Sequence, residues 1–169
     1  MRGRTTGKND DDYRQRLHRR WKLQMCFTKF GTMAMQEEVY IYIKFIETNL
    51  IPDEITNLIN VNPTICGKKG DLVRGRKLPI DEGWWFYKSI LVPPWNVGEA
   101  LEKLLPLIES NAKLRKYCKD FNIYIEFSVI MYLAENAPIV TLEPSLLQRI
   151  ANIGASIDFD IYFIDKYDL

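Results

Sequence analysis

Hydrophobic and polar residues alternate along several parts of the chain, and this pattern predicts its strands. The clearest case is "VYIYIKFIE", in which a period of two separates an apolar face from a face of Tyr and Lys residues. The apolar face holds Val39, Ile41, Ile43 and Phe45, and the other holds Tyr40, Tyr42 and Lys44. The same period in "NIYIEFSVIMYL" and "DFDIYFID" predicts two more strands. The aromatic and branched residues of "WWFYKSILV" predict another strand, and "IVTL" predicts a short fifth strand.

Apolar residues at helical spacing predict three helices between these strands. "IPDEITNLIN" has Pro52 suited to a first helical turn, followed by two acids near the positive end of the helix dipole. "VGEALEKLLPLIESNAKLRKYCKD" carries the strongest helical pattern, which Pro106 should kink or divide in two. A third helix should open at Pro144 and end at Gly154.

The predicted order of elements is β-α-β-α-β-β-α-β. Helices that alternate with amphipathic strands indicate an α+β fold, with a mixed or largely antiparallel sheet covered on one face by about three helices. Residues 62–83 are rich in glycine and charge, so we expect a long loop or a loosely ordered hairpin there. The pattern predicts a single domain over residues 35–169.

Length and composition fit a globular protein. A chain of 169 residues with 47% hydrophobic content can bury a core of ordinary size. No apolar run approaches the roughly 18 to 20 residues that span a bilayer, and no signal peptide is evident at the start. We therefore expect a soluble, cytoplasmic protein that does not bind a membrane.

Residues 1–34 differ from the rest of the chain in charge and pattern. They hold nine Lys or Arg and three Asp, a net charge of +6, whereas residues 35–169 hold fourteen against nineteen, a net charge of −5. We interpret this basic segment as a poorly ordered N-terminal extension. The alternative is a basic arm that binds nucleic acid or a membrane surface.

Few residues are suited to nucleophilic or metal chemistry. The one histidine, His18, lies in the extension, so residues 35–169 have no imidazole for a Ser-His or Cys-His pair. Cys26, Cys66 and Cys118 lack metal-site spacing and are interpreted as free thiols. Lys68 and its neighbour would lower the pKa of Cys66, but without a partner base we interpret this thiol as incidental. We expect no catalytic residue, metal or cofactor.

Two aspartates on one strand support an alternative, enzymatic hypothesis. In "DFDIYFID", Phe159, Ile161 and Phe163 should face inward, whereas Asp158 and Asp160 should line a wet face with Asp165 further along. Such acids could hold a divalent ion or act as acid and base. The simpler interpretation is that an exposed strand face needs polar residues and that charges on an edge strand discourage aggregation.

The most distinctive stretch is "GKKGDLVRGRKLPIDEGWW", residues 67–85, with five cations and four glycines before a tryptophan pair. It does not match a phosphate-binding P-loop, because it follows a helix and precedes no helical pattern. Cations beside aromatic residues are typical of surfaces that bind proteins or nucleic acids. The residues that we expect to bind a partner are Lys68, Lys69, Asp71, Arg74, Arg76, Lys77, Trp84 and Trp85.

Several short motifs together resemble a known bacterial family. They are Pro52-Asp53-Glu54-Ile55, Asn62-Pro63-Thr64, Lys69-Gly70-Asp71, Arg76-Lys77, Gly83-Trp84-Trp85, Ser145-Leu146-Leu147, Ile153-Gly154-Ala155 and Asp158-Phe159-Asp160-Ile161-Tyr162. This set, over roughly residues 38–165, resembles the domain of unknown function 4279. The family has no established activity, so the resemblance implies no chemistry, but it marks Trp84 and the Lys69-Gly70-Asp71 turn as family features.

The leading hypothesis is a non-enzymatic protein-binding module. By size and style it is similar to bacterial immunity proteins that neutralise a toxin by occlusion. The alternatives are a nucleic-acid-binding protein that uses the basic extension and the 67–83 loop, or a metal-dependent enzyme that uses Asp158 and Asp160.

Overall fold

A computed structural model describes residues 37–72 and 79–164 of the chain. The five strands are β1 (Glu38–Glu47), β2 (Ile65–Gly67), β3 (Gly83–Ile90), β4 (Tyr124–Leu133) and β5 (Ala155–Phe163). The helices are α1 (Pro52–Ile59), α2 (Val97–Leu104), the one-turn α3 (Pro106–Glu109), α4 (Ala112–Asp120) and α5 (Pro144–Asn152). The predicted boundary at residue 34 lies outside the described residues, so the domain division stays a prediction.

One sheet organises the described part of the chain, with the strands in the order β2-β3-β1-β4-β5. The central strand β1 pairs antiparallel with β3 and with β4, and β2 also pairs antiparallel with β3. The pair between β4 and β5 is parallel, because α5 returns the chain to the same end of the sheet. The sheet is therefore mixed, and the predicted α+β class is confirmed.

Every described helix packs on the same face of the sheet. On this helix-covered face the core joins odd-numbered strand residues to apolar helix residues, among them Ile41, Phe127, Ile55, Leu101 and Ile150. The opposite face, which no described helix covers and which we call the helix-free face, carries the even-numbered residues of β1, β3, β4 and β5, because directly paired residues share a face and successive residues alternate. In β2 the numbering is reversed, since Gly67 pairs with Trp84. The prediction of a sheet covered by helices on one face is therefore correct for the described residues.

The helix boundaries follow local sequence signals. The strong pattern after residue 96 is divided at Pro106, as predicted, and is divided again before α4. Asn111 caps α4 by accepting the backbone N–H of Leu114 at 2.9 Å, and its side-chain amide donates to the carbonyl of Leu58, at the end of α1, at 2.5 Å. After α5, Gly154 has the positive φ of 71° that the predicted stop requires.

One strand prediction is wrong, and for a second region one of the two predicted alternatives is confirmed. "IVTL" forms no regular strand: Ile139 makes one isolated parallel bridge with Asn96, and Pro138 and Pro144 limit the run on both sides. Conversely, the predicted loop over residues 62–83 contains the three-residue β2, which pairs with β3. The predicted hairpin alternative is therefore the correct one, although β2 is too short to show a period.

Burial also differs from the prediction on two strands. Tyr40, Tyr42 and Lys44 are 6%, 9% and 5% exposed, so β1 is buried on both faces rather than on one. At the end of the edge strand β5 the prediction is reversed: Ile161 and Phe163 are 52% and 84% exposed. The physical reason for the second difference is that an edge strand is flanked on one side only.

Candidate functional site at the connection between β2 and β3

The connection between β2 and β3 is anchored by the two tryptophans that follow it. Trp85 is fully buried, its Nε1–H donates to Thr56 Oγ1 of α1 at 2.9 Å, and its ring meets the Phe45 ring edge-on at 5.5 Å. Trp84 points to the other face and lies against Gly67, where an added Cβ would come 2.1 Å from the ring. These contacts fix where the connection leaves and re-enters the sheet.

Backbone hydrogen bonds also close the base of the connection. The N–H of Gly70 donates to the carbonyl of Ile80 at 2.8 Å, and the N–H of Ile80 donates to the carbonyl of Asp71 at 3.0 Å. Asp71 Oδ2 accepts the N–H of Lys68 at 2.7 Å, which tightens the turn, and Gly70 has a φ of 94° that disfavours other residues. The described part of the connection therefore has a defined shape at its base.

The predicted binding residues divide into three groups. Lys68, Lys69 and Asp71 are exposed on this turn. Trp84 and Trp85 are 4% and 0% exposed, so neither ring offers a face on which a nucleic-acid base could stack. The other three residues, Arg74, Arg76 and Lys77, lie outside the described residues.

One exposed apolar residue accompanies these charges. Leu72 is 72% exposed and follows the turn directly. The ion pair between Lys68 and Asp53 measures 3.6 Å and joins two well-exposed side chains, so it contributes little to stability. This arrangement leaves an exposed apolar side chain close in sequence to two cations, on a turn whose base is closed by hydrogen bonds.

Cys66 does not have the activated thiol that its neighbouring lysines suggested. Burial is the largest influence and raises the pKa of the Cys66 thiol, and the Asp53 carboxylate raises it further, whereas Lys68 lowers it. Burial also raises the pKa of Cys118 to about 12. Both thiols therefore stay protonated at neutral pH, and the interpretation of Cys66 as incidental is the better one.

The two candidate acidic residues lie on the helix-free face of β5. Asp160 is 8% exposed and Asp158 is half-buried, which differs from the wet face that the sequence predicts. Within residues 37–72 and 79–164, no three His, Cys, Asp or Glu side chains come together in a way that could hold a metal ion. Asp165 lies outside these ranges, as do His18 and Cys26.

A buried polar network on the helix-free face was missed by the sequence reasoning. Lys44 Nζ lies 2.8 Å from Glu126 Oε1, and the two side chains are 6% and 3% exposed. Tyr124 donates its hydroxyl to Glu126 Oε2 at 3.0 Å and also contacts Ser156 Oγ at 2.6 Å. The sequence does contain a signal for this network, because each of two otherwise apolar and aromatic strands has a charged residue inside it. That these two residues pair depends on the register of the strands.

A second missed feature is a carboxylate held by a turn. Glu37 Oε1 accepts the backbone N–H groups of Ala134, Glu135 and Asn136 at 2.7 to 3.0 Å, and Oε2 accepts the Asn136 side-chain amide at 2.6 Å. These hydrogen bonds lower the pKa of Glu37 to about 2, so the carboxylate is ionised at neutral pH. Glu37 thereby fastens the start of β1 to the turn after β4.

Comparisons with known proteins place the chain in one family. In the described ranges, none of the helices combines the length and apolar character that crossing a membrane demands. Searches of curated proteins and of solved structures give no significant match. The family model for a domain of unknown function, DUF4279, matches residues 37–164, which is more than half of the chain. The resemblance noted in the sequence is thereby confirmed, and the chain belongs to the DUF4279 family.

Proposed function

We propose that this protein is a non-enzymatic binding module whose protein partner contacts the turn between β2 and β3. The observation that supports the proposal is the exposure of Leu72 beside Lys68 and Lys69, on a turn whose base is fixed by hydrogen bonds. A turn that is already ordered loses little conformational entropy when it binds, and this favours affinity.

The buried tryptophans support the binding surface indirectly. Trp85 is bonded to Thr56 and Trp84 packs on Gly67, so both residues hold the turn in place rather than contact the partner. The proposed contact residues are therefore Lys68, Lys69, Asp71 and Leu72. A standard interface needs about 800 Å² from each partner, so neighbouring surface must contribute as well.

A charge-reversed triple variant tests the proposal. Leu72→Asp, Lys68→Glu and Lys69→Glu together should reduce recovery of the partner from the native host at least tenfold, because they remove the apolar contact and reverse the charge. The measurement is quantitative mass spectrometry of affinity-purified complexes, followed by reconstitution with the purified partner. Leu147→Asp, Lys113→Glu and Lys119→Glu make the same change in charge on exposed positions of α4 and α5 and should not alter recovery.

Two results would contradict the proposal. One is equal recovery of the partner by both triple variants, and the other is recovery of no stoichiometric partner by the wild-type chain.

Within this function, we propose neutralisation of a toxin as the biological role, which rests on the small size of the module. Co-expression with toxins encoded beside the gene tests that role separately, and loss of rescue with the loop variant is the expected result.

A further inference from the structure

Two exposed apolar runs meet at the end of β3 that lies away from the turn between β2 and β3. The first is "ILVPP", residues 90–94, in which Ile90 and Val92 are 61% and 80% exposed. The second is "APIV", residues 137–140, in which Ile139 and Val140 are 50% and 45% exposed. Apolar side chains exposed together in this way mark binding sites more often than chance allows.

Backbone contacts hold the two runs side by side. Ile139 donates its N–H to the carbonyl of Trp95 at 2.8 Å and accepts the N–H of Val97 at 2.9 Å. Gly98 permits this close approach, because a Cβ there would lie 2.2 Å from the carbonyl oxygen of Thr141. The apolar surface is therefore a fixed part of the fold.

Two open cavities lie along this surface and share Pro94. The larger, of about 640 Å³, is lined by Glu37, Pro93, Pro94, Trp95, Asn136 and Ile139. The smaller, of about 280 Å³, continues past Ile90 and Val92 to Glu99 and Lys103 of α2. We call the two cavities together the proline cleft. Because both are open and have exposed apolar rims, they suit an elongated occupant better than an enclosed small molecule.

The charge of the proline cleft is negative. Its ionisable side chains are Glu37, Glu99 and Lys103, which carry −1, −1 and +1 and sum to −1. The Glu37 carboxylate is held in place by four hydrogen bonds. A fixed carboxylate at the edge of an apolar surface favours a cationic group on the ligand.

We propose that the proline cleft binds an extended apolar segment of another protein, with a Lys or Arg side chain placed to reach Glu37. Apolar side chains of the segment cover Val92, Pro94 and Ile139, and its cation pairs with the Glu37 carboxylate. The seven residue steps of β3 correspond to about 24 Å at 3.4 Å per residue, so this site is separate from the turn between β2 and β3. The proline cleft is therefore a second binding site, in addition to the one in the proposed function.

Peptide display tests the proposal with the full chain as the target. Random twelve-residue peptides selected on the immobilised protein should be enriched in apolar residues together with Lys or Arg. Binding of the selected peptides is then measured by fluorescence anisotropy.

Val92→Glu should weaken peptide binding at least tenfold, because the substitution places a charge on the apolar rim. Glu37→Gln should weaken peptide binding at least threefold. Leu147→Glu, a similar change at an exposed residue of α5, should leave the affinity unchanged.

Three results would overturn the inference. The first is the absence of any enriched peptide, and the second is equal affinity for the wild type and the Val92→Glu variant. In that second case, abolition of binding by Leu72→Glu would show that the peptides bind the turn between β2 and β3, which supports the proposed function alone. The third is self-association in sedimentation that Val92→Glu abolishes, because the cleft would then be an interface between two copies of the chain.

Discussion

At the central strands β1 and β4 the two faces of the sheet are both buried, but they are built from different chemistry. The helix-covered face is a continuous apolar cluster that includes Ile43, Phe127 and Val129, all fully buried. The helix-free face has five tyrosines in β1, β4 and β5, and it carries the buried pair Lys44 and Glu126. The polarity of a strand face therefore does not by itself predict its exposure.

The two faces also depend on different interactions. The helix-covered face is stabilised by removal of apolar area from water and by close packing, which is not directional. On the helix-free face, the Lys44 ammonium and the Glu126 carboxylate must satisfy each other, and the Tyr40 ring meets Tyr42 edge-on at 5.4 Å. Loss of one group should therefore leave a cavity on the first face and break a buried ion pair on the second.

The largest effect is expected on the helix-covered face. Trp85→Ala should lower the free energy of unfolding by about 3–5 kcal/mol, because it opens a cavity and leaves Thr56 without its indole partner. Guanidinium denaturation followed by circular dichroism measures this loss. Trp85→Phe keeps most of the apolar volume and should cost clearly less. A loss below about 1 kcal/mol for the alanine variant would contradict the packing described here.

A double-mutant cycle measures the coupling between Lys44 and Glu126 on the helix-free face. Lys44→Met should lower the free energy of unfolding by about 3 kcal/mol, because it removes the cation that is paired with the buried Glu126 carboxylate at 2.8 Å. Lys44→Met combined with Glu126→Gln should recover most of this loss, since the carboxylate that is paired with Lys44 is then replaced by a neutral amide. Urea denaturation of the four proteins gives the coupling. Additive losses would show that the two residues act independently and would break the contrast between the faces.

The smallest effect is expected at Glu37, which lies outside both faces. Its folded-state pKa of about 2 is below the ordinary value of 4.5. The contribution of the ionised carboxylate to the free energy of unfolding is therefore fully present above pH 4.5 and is lost as the pH falls toward 2. Glu37→Gln should therefore flatten the acid side of the stability profile between these values. Urea midpoints measured from pH 7 to pH 2 test this. Parallel profiles for the variant and the wild type would show that the Glu37 carboxylate contributes nothing.

The sequence predicts the fold where local patterns are long. The alternation in β1 correctly assigns Ile41 and Ile43 to one face and Tyr42 to the other, because the period of two is a property of the strand itself. It does not predict the burial of Lys44, since that depends on Glu126, which is 82 residues away in the chain. Short apolar runs such as "IVTL" are ambiguous for the same reason: their pairing is decided by distant segments.

The turn at the candidate site is predictable from the sequence, but the contacts that anchor it are not. The glycines and charges of residues 67–71 correctly indicate a turn, and Lys68, Lys69 and Asp71 are exposed as expected. The sequence could not show that Trp85 faces the core and donates to Thr56, because that contact requires α1 to lie beside β3. The proline cleft was missed because its two apolar runs are more than forty residues apart and meet through the backbone of Ile139.

Asn111 restricts which sequences can adopt this fold. Its carbonyl oxygen caps α4 while its amide nitrogen donates to Leu58 at the end of α1, so one side chain must accept and donate in opposite directions. Aspartate would keep the cap and lose the donor, serine would be too short to reach Leu58, and glutamine would displace both groups by one methylene. Related chains that keep this junction of α1 and α4 should therefore favour asparagine at this position.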